Sequence, residues 1–206
     1  MKFIDISQKL NSSTPVWPGD TPFQFSLNWS KQDTGSVNVG SINFSAHTGT
    51  HIDAPFHFNE DGQKVADLPL ESFFGNALVV EMCGKESIGA EELKSLNLRD
   101  VTQLLIRTNS WEDKSAFPSE ITYLREDIGP FLKENGIQLI GVDVPSVDPL
   151  DSKALPAHHS LQQNGIGILE GIVLDGVETK TYELAAFPLF IEEADGCPVR
   201  AVLIDR

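Results

Sequence analysis

All five histidines of this 206-residue chain fall in two short segments, and no other feature restricts the possible folds as strongly. His47, His51 and His57 lie in the first segment, and His158 and His159 lie in the second. Imidazoles and carboxylates are the side chains that hold zinc and similar divalent ions in proteins. A chain whose histidines all lie in two such segments is predicted to be a metalloenzyme, whose fold brings these side chains together.

The first histidine segment predicts a ligand-bearing loop rather than a helix. Residues 48–50 have poor helix propensity, and Pro55 disfavours a helix that continues through the residue before it. A loop that leaves a preceding strand fits better, and Gly49 allows the tight turn that brings the imidazoles of His47 and His51 together.

Asp53 adds a third ligand to this segment, and its two carboxylate oxygens can bridge two metal ions. His57 follows four residues later and is either a further ligand or a general acid/base, because a neutral imidazole moves protons efficiently near pH 7. A single loop histidine is usually a hydrogen-bonded surface residue. The combined pattern of His47, His51 and Asp53 favours a metal site instead.

The second segment predicts two more ligands. Adjacent side chains diverge, so only one of His158 and His159 is expected to point inward. Glu170 lies in an apolar stretch between residues 165 and 174, where a buried carboxylate needs a partner. A salt bridge to an arginine is the alternative explanation, and metal ligation is the one we favour.

Composition excludes several other classes of function. The formal net charge of −15 and the lack of any basic cluster argue against binding to nucleic acids or anionic membranes. No stretch approaches the ~20 apolar residues of a membrane span, and Asp5 comes too early for a signal peptide. We expect a cytoplasmic protein in which Cys83 and Cys197 are free thiols, although the two can pair if the fold brings them together.

Hydrophobic patterning predicts an α/β protein with a mixed β-sheet core and few helices, and the length predicts one domain over residues 1–206. Residues 23–29 alternate in the manner of a half-buried strand, and residues 10–22 form a proline-rich loop. Helices are expected at residues 89–96 and 123–135. The strands are predicted at residues 3–6, 23–29, 37–46, 76–83, 102–108, 139–143, 167–174, 183–190 and 199–204.

Five stretches of the chain resemble motifs of one known family. The first is His47-Thr48-Gly49-Thr50-His51-Ile52-Asp53-Ala54-Pro55-Phe56-His57, which is similar to the signature of the metal-dependent cyclase/hydrolase family. The loop around Trp17 and the segment Ser152-Lys153-Ala154-Leu155-Pro156-Ala157-His158-His159 narrow the resemblance to the bacterial-type kynurenine formamidase (arylformamidase) branch. Residues 141–149 and 168–171 resemble further motifs of that branch, so the resemblance runs almost from end to end.

The resemblance implies a swivelling β/β/α fold, a homodimer and two zinc ions per subunit. By this analogy His47, His51 and Asp53 hold the first zinc, and Asp53 bridges to a second zinc that His158 and Glu170 complete. His57 is then the proton donor and acceptor. Trp17 lines the substrate site, unless this loop tryptophan only packs against the core or a dimer contact.

The activity implied by the resemblance is hydrolysis of N-formyl-L-kynurenine to L-kynurenine and formate, a step of tryptophan degradation. Zinc lowers the pKa of bound water to about 7 and polarises a carbonyl oxygen, which is the help that an aryl formamide needs. Two alternatives remain. One is another amide, lactam or ester hydrolase of the same family, such as an isatin hydrolase, and the other is a non-catalytic metal-binding module.

Overall fold

A nine-stranded mixed sheet forms the centre of the protein, as seen in a computed structural model that describes residues 1–206. A separate hairpin and a separate two-stranded sheet lie outside it. The strands are β1 (Lys2–Asp5), β2 (Gln24–Trp29), β3 (Val39–Asn43), β4 (His51–Asp53), β5 (Phe74–Glu81), β6 (Ser87–Ile88), β7 (Gln103–Arg107), β8 (Tyr123–Leu124), β9 (Leu139–Val142), β10 (Gly167–Glu170), β11 (Thr181–Ala185), β12 (Gly196–Pro198) and β13 (Val202–Asp205).

The order of strands in the large sheet is β1-β13-β11-β5-β7-β9-β10-β4-β12. Strands β5, β7, β9 and β10 pair in parallel, and the pairs on both sides of this group are antiparallel. Parallel strands are normally covered on both faces and are therefore apolar throughout. Strand β9 fits this rule, since all four of its residues are buried. The predicted α/β class with a mixed sheet is confirmed.

Few helices accompany the sheet. They are α1 (Lys31–Thr34), α2 (Ala90–Leu93), α3 (Ile128–Glu134) and α4 (Pro156–Gln163), with 3₁₀ turns at Pro55–His57, Val65–Asp67 and Leu70–Phe73. No helix is long and apolar enough to cross a membrane.

Alternation along the central strands divides the core into two layers. Leu104 and Ile106 of β7 point into a cluster of 20 buried residues that includes the apolar faces of α2, α3 and α4. Leu105 points the other way, into a cluster of 17 buried residues enclosed by the antiparallel part of the sheet. The sheet therefore curls around one layer, and helices cover the other.

Several predicted boundaries were wrong. The helix expected over residues 123–135 begins at Ile128, because Tyr123–Leu124 pairs with β6 instead. The strand expected over residues 183–190 ends at Ala185, shortly before Pro188, which has no backbone N–H to donate. The strand expected over residues 199–204 begins only at Val202, as β13, and residues 199–201 connect it to β12. Helix α4, which carries both histidines of the second segment, was not predicted at all.

Strands β2 and β3 differ from the prediction in their environment. The pattern of residues 23–29 predicts a half-buried strand, but every residue of both strands is exposed. Phe25, Leu27, Trp29 and Ile42 are among the most exposed large apolar side chains of the protein. The two strands pair only with each other and form an apolar arm, a name used below for residues 24–43.

Candidate metal centre

Strand β4 places two side chains of the first segment on one face. Residues two apart on a strand point the same way, so His51 and Asp53 face the site while Ile52 enters the core. The strand lies between β10 and β12, and its register sets Glu170 opposite His51 and Gly196 opposite Asp53. Pairing of distant strands therefore brings a ligand candidate from each segment to the same point.

The loop before β4 is fastened to the turn after β10. Gly49 adopts a φ of 70°, in the left-handed region that glycine enters without strain. The Thr50 hydroxyl donates to the Gly171 carbonyl oxygen at 2.6 Å, and the Gln8 side chain donates to the same oxygen at 2.9 Å. His51 Nδ1 donates to the Gly49 carbonyl at 3.0 Å, which leaves Nε2 free to face Asp53 and Glu170.

Helix α4 carries the second histidine pair at its N-terminus. His158 is 3% exposed and points into the site, whereas His159 is only partly buried and stays outside it. Asp148, which is completely buried, accepts the backbone N–H groups of Ala157 and His158, both at 3.0 Å. The same carboxylate accepts His158 Nδ1–H at 2.6 Å. Asp148 therefore caps the helix and aims His158 Nε2 at the site.

Glu170 is held beside imidazoles rather than beside an arginine. Its Oε1 accepts the Val147 backbone N–H at 2.8 Å. Its carboxylate oxygens lie 3.4 Å from His51 Nε2 and 3.7 Å from His158 Nε2. The salt bridge to an arginine that the sequence left open as an alternative is absent.

The carboxylates of the cluster favour positive charge on the imidazoles. Burial lowers the pKa of His51, but Asp53 and Glu170 outweigh it and raise that pKa to about 10. The pKa of His158 is likewise lowered by burial and raised further by Asp148 and Asp53, to about 10. Burial raises the pKa of Asp53, yet the surrounding imidazoles hold it well below its usual value. A bound cation satisfies the same carboxylates while the imidazoles stay neutral.

The donor set fits one or more divalent cations. Three groups of ligand atoms lie within 4.8 Å of one another, and Asp53 belongs to two of them. These two are His47, His51 and Asp53, and Asp53, His158 and Glu170, while the third is His47, His57 and Asp195. Asp53 Oδ2 is buried without a hydrogen-bond partner and lies 3.4 Å from His158 Nε2. An unpaired buried carboxylate oxygen is costly, and a cation at this point removes the cost.

An aromatic cavity of about 420 Å³ opens above the cluster. Trp17, one of the predicted site residues, lines it, and its ring meets Phe117 edge to face with 5.2 Å between the ring centroids. Trp111 lies behind Phe117, with 6.4 Å between those two centroids. The cavity is also lined by His47, His51, His57, His158 and Glu170. A flat apolar ligand that enters here reaches the ligand cluster directly.

His57 lies beside the ligand cluster and outside both groups that share Asp53. Its ring centroid is 4.0 Å from that of His47 and 6.3 Å from that of His158. Burial lowers the pKa of His57 below its ordinary value, so this imidazole is neutral at pH 7. That state suits a group that accepts and returns a proton.

Two acids beside the cluster were not among the predicted site residues. Asp148 contacts His158, as described above, and Asp195 Oδ2 lies 3.0 Å from His47 Nε2. Asp148 lies ten residues from His158 in sequence, whereas Asp195 lies 148 residues from His47. Asp148 lies in a motif stretch that the family resemblance included, so it could have been noticed. Asp195 lies in the acidic run 192–195 and gives no such signal.

The family model named Cyclase matches residues 4–149 of this chain, and the chain therefore belongs to the Cyclase family. It is also similar to a protein named Kynurenine formamidase from Bacillus cereus. The two are 55% identical over 202 residues, which cover 98% of this chain and 97% of the relative.

Solved structures share the fold over the whole chain. A protein described as a potential metal-dependent hydrolase with cyclase activity superposes with a TM-score of 0.85 and 26% identity, covering 100% of this chain and 98% of that one. Isatin hydrolase A from Labrenzia aggregata superposes with a TM-score of 0.84 and 21% identity, covering 100% of this chain and 94% of that one. The second likeness bears on the fold alone.

Proposed function

We propose that this protein is a metal-dependent arylformamidase that hydrolyses N-formyl-L-kynurenine to L-kynurenine and formate, with residues 1–206 acting as one domain. The observation that carries the proposal is the pair of donor groups sharing Asp53 at the base of an aromatic cavity. Identity of 55% to a protein named Kynurenine formamidase supports the choice of substrate.

We assign two zinc ions per subunit to this cluster. His47, His51 and Asp53 would hold the first, and Asp53, His158 and Glu170 would hold the second. Zinc bound at these residues would lower the pKa of a water molecule and polarise the formyl oxygen. The neutral nitrogen and anionic oxygen donors match zinc better than magnesium or calcium, which prefer oxygen ligands alone.

His57 is the proposed proton carrier. Hydrolysis adds one water across the formyl C–N bond, so a proton must leave the water and a proton must reach the departing aryl nitrogen. An aniline anion is a very poor leaving group, and protonation of that nitrogen is therefore essential. The neutral imidazole of His57 accepts the first proton and delivers it to the nitrogen as the bond breaks.

The aromatic cavity is the proposed binding site for the substrate ring. Trp17 supplies a flat apolar face, and its edge contact with Phe117 fixes the orientation of the indole. The indole is 43% exposed, so a ligand ring can cover surface that now faces solvent. We therefore assign Trp17 to substrate binding rather than to core packing.

One assay tests the activity and its metal requirement together. Purified protein is given N-formyl-L-kynurenine after exhaustive chelation and again after zinc is restored. We expect formate and L-kynurenine only in the second case. Full turnover by protein that is shown to be metal-free would refute the metal mechanism.

An isatin hydrolase is the alternative within the same family, since such an enzyme would differ in its substrate pocket and not in its metal ligands. Isatin is a lactam, whose ring opening leaves the amine attached to the product. Turnover of isatin without turnover of formylkynurenine would select this alternative. A purely structural metal module is disfavoured, because structural sites are closed while these ligands line an open cavity.

We further propose that the protein is a homodimer, in which a second copy of the chain covers the apolar arm. A lone two-stranded hairpin is marginally stable in water, and Phe25, Leu27 and Trp29 lie at least 50% exposed on it. The same chain exposes a second apolar patch at residues 187–191, where Phe190 is 91% exposed. Two copies thus offer surfaces of matching chemistry, as homodimer interfaces do.

The mass of the protein in solution tests the dimer. Light scattering during size-exclusion chromatography is expected to give twice the mass of 22.6 kDa. The double variant Phe25→Ser, Trp29→Ser should shift the mass toward that of one chain, while Lys31→Ser on the same arm should not. A wild-type protein that is monomeric at micromolar concentration would contradict this part of the proposal.

A further inference from the structure

One carboxylate oxygen of Asp195 approaches two imidazoles of the site. Asp195 Oδ2 lies 3.0 Å from His47 Nε2 and 3.6 Å from His57 Nδ1. We propose that Asp195 is a positioning residue that orients both His47, a proposed metal ligand, and His57, the proposed proton carrier. This inference rests on the proposed function, and it adds a residue on which the reaction depends.

The backbone around Asp195 is fixed independently of its side chain. The Asp195 carbonyl accepts the Ala54 backbone N–H at 2.9 Å, and Gly196 pairs with Asp53 across strands β12 and β4. A Cβ atom at Gly196 would lie 2.6 Å from the His47 ring, so the ring rests directly on this backbone. The carboxylate is therefore presented from the bend directly before β12, whose backbone is tied to the main sheet on both sides of the side chain.

The two nitrogens of His47 have separate partners. Nδ1 lies 2.9 Å from Asp53 Oδ1, and Nε2 lies 3.0 Å from Asp195 Oδ2. When the imidazole is neutral and Nε2–H is donated to Asp195, the lone pair is on Nδ1, beside Asp53. Asp195 thus selects the tautomer that a metal shared with Asp53 requires. Acids that orient metal-bound histidines in this way commonly contribute about 10–100-fold to metal affinity or activity.

The longer contact concerns His57. A proton on Nδ1 directed at Asp195 leaves the lone pair on Nε2, the ring nitrogen that Asp195 does not face. The ring of His57 also lies against that of His47, with 4.0 Å between centroids and 38° between the ring planes, so a shift of one ring disturbs the other. His47 and His57 therefore link metal binding to proton transfer through their shared contact with Asp195.

The test compares Asp195→Asn and Asp195→Ala with Glu192→Gln. Glu192 is exposed and lies on the same segment, so its variant removes the same charge without touching the site. Zinc affinity is measured by competition with a chelator, and turnover is measured on formylkynurenine and on a nitrophenyl ester at saturating zinc. Nitrogen-15 NMR of the zinc-loaded protein reports the tautomers of the five histidine rings.

We expect zinc affinity to fall by about 10–100-fold in both Asp195 variants and to stay unchanged in Glu192→Gln. At saturating zinc, kcat on formylkynurenine should fall more than kcat on the ester, with little change in KM. The wild-type spectrum should show His47 protonated at Nε2, and this signal should change in Asp195→Asn.

Three results would overturn the inference. Zinc affinity within twofold of wild type in both variants removes the role toward His47. An equal loss on the amide and the ester removes the role toward His57. A His47 protonated at Nδ1 in the loaded wild type contradicts the tautomer. Absence of formylkynurenine turnover by the wild type would refute the proposed function instead, and the zinc affinities would still decide the role toward His47.

Discussion

The two ligand segments are held by different means. His158 sits at the N-terminus of a helix, its side chain is 4% exposed, and the acid that orients it is completely buried. His47 sits in a loop, its side chain is 18% exposed, and its acid is 42% exposed. His158 is therefore part of the folded core, while His47 lies at the solvent side of the ligand cluster, unlike the buried His51 and Asp53 of its own segment.

Because of this difference, some site mutations should weaken both metal binding and folding, whereas others should weaken metal binding alone. Loss of a contact in the second segment disturbs both metal binding and folding, because the same acid caps α4 and orients His158. Loss of the half-exposed contact between Asp195 and His47 should disturb metal binding and chemistry, with little effect on the fold. Asp53 stands between the segments and belongs to both groups of donors.

The largest effect is expected for Asp53→Ala. A shared carboxylate keeps two cations close together, and its removal exposes them to each other's repulsion. We expect the variant to lose both metals and all detectable turnover. Metal content per subunit, determined by elemental analysis, is the measurement. Two metals retained in this variant would mean that the segments bind independently.

His158→Ala is expected to remove one metal and leave the other. The first group of donors, His47, His51 and Asp53, stays complete in this variant. Metal content should fall from two equivalents per subunit to about one, and Glu170→Ala should behave in the same way. If either variant also empties the first group, the two segments cannot be treated as separate binding units.

His57→Ala should keep both metals and the fold, and lose most of its turnover. General acid/base groups contribute about 10²–10⁴ in rate, and the loss should be larger for the formanilide than for a nitrophenyl ester. Nitrophenolate leaves without a proton, whereas the aniline nitrogen needs one. Turnover of both substrates and metal content give the answer. Equal impairment on both substrates would indicate another role, and loss of zinc would make His57 a ligand.

The contrast between the segments also explains what the sequence could predict. His47, His51 and Asp53 lie within seven residues, so their convergence is almost a local property of one turn and one short strand. The position of Glu170 opposite His51 depends on the pairing of β10 with β4, which no local pattern encodes. The α/β class follows from the apolar runs of β7 and β9, because those strands are buried on both faces.

The features that were not predicted depend on tertiary contacts. Helix α4 has eight residues and begins after Leu155, which adopts a φ of 45°, so its propensity signal is weak. Asp148 stabilises that helix from outside its own sequence. The exposure of β2 has a similar cause, since alternation shows which face is apolar but not what covers it. Asp195 reaches His47 only because β12 lies next to β4.

The smallest effects are expected on the free energy of unfolding of Asp148→Asn and Asp195→Asn. Comparing these two variants is the sharpest test of the difference between the segments. The Asp148 carboxylate accepts three N–H groups, two from the backbone and one from His158. An asparagine amide turns its NH₂ toward at least one of those donors, and a hydrogen bond to a buried charged group is lost. Such bonds contribute roughly 1.5–3 kcal/mol. The variant should lose about that much free energy of unfolding in the metal-free state.

Asp195→Asn should lose less than about 1 kcal/mol, because its carboxylate is half-exposed and solvent screens its contacts. Urea unfolding of both chelated variants gives the two free energies, with Asp151→Asn as a control because Asp151 is exposed on the segment between Asp148 and α4. Both Asp148→Asn and Asp195→Asn should still bind zinc about 10–100-fold more weakly than wild type. Equal losses of unfolding free energy in Asp148→Asn and Asp195→Asn would contradict this difference. The half-exposed acid would then contribute to folding as much as the buried one does.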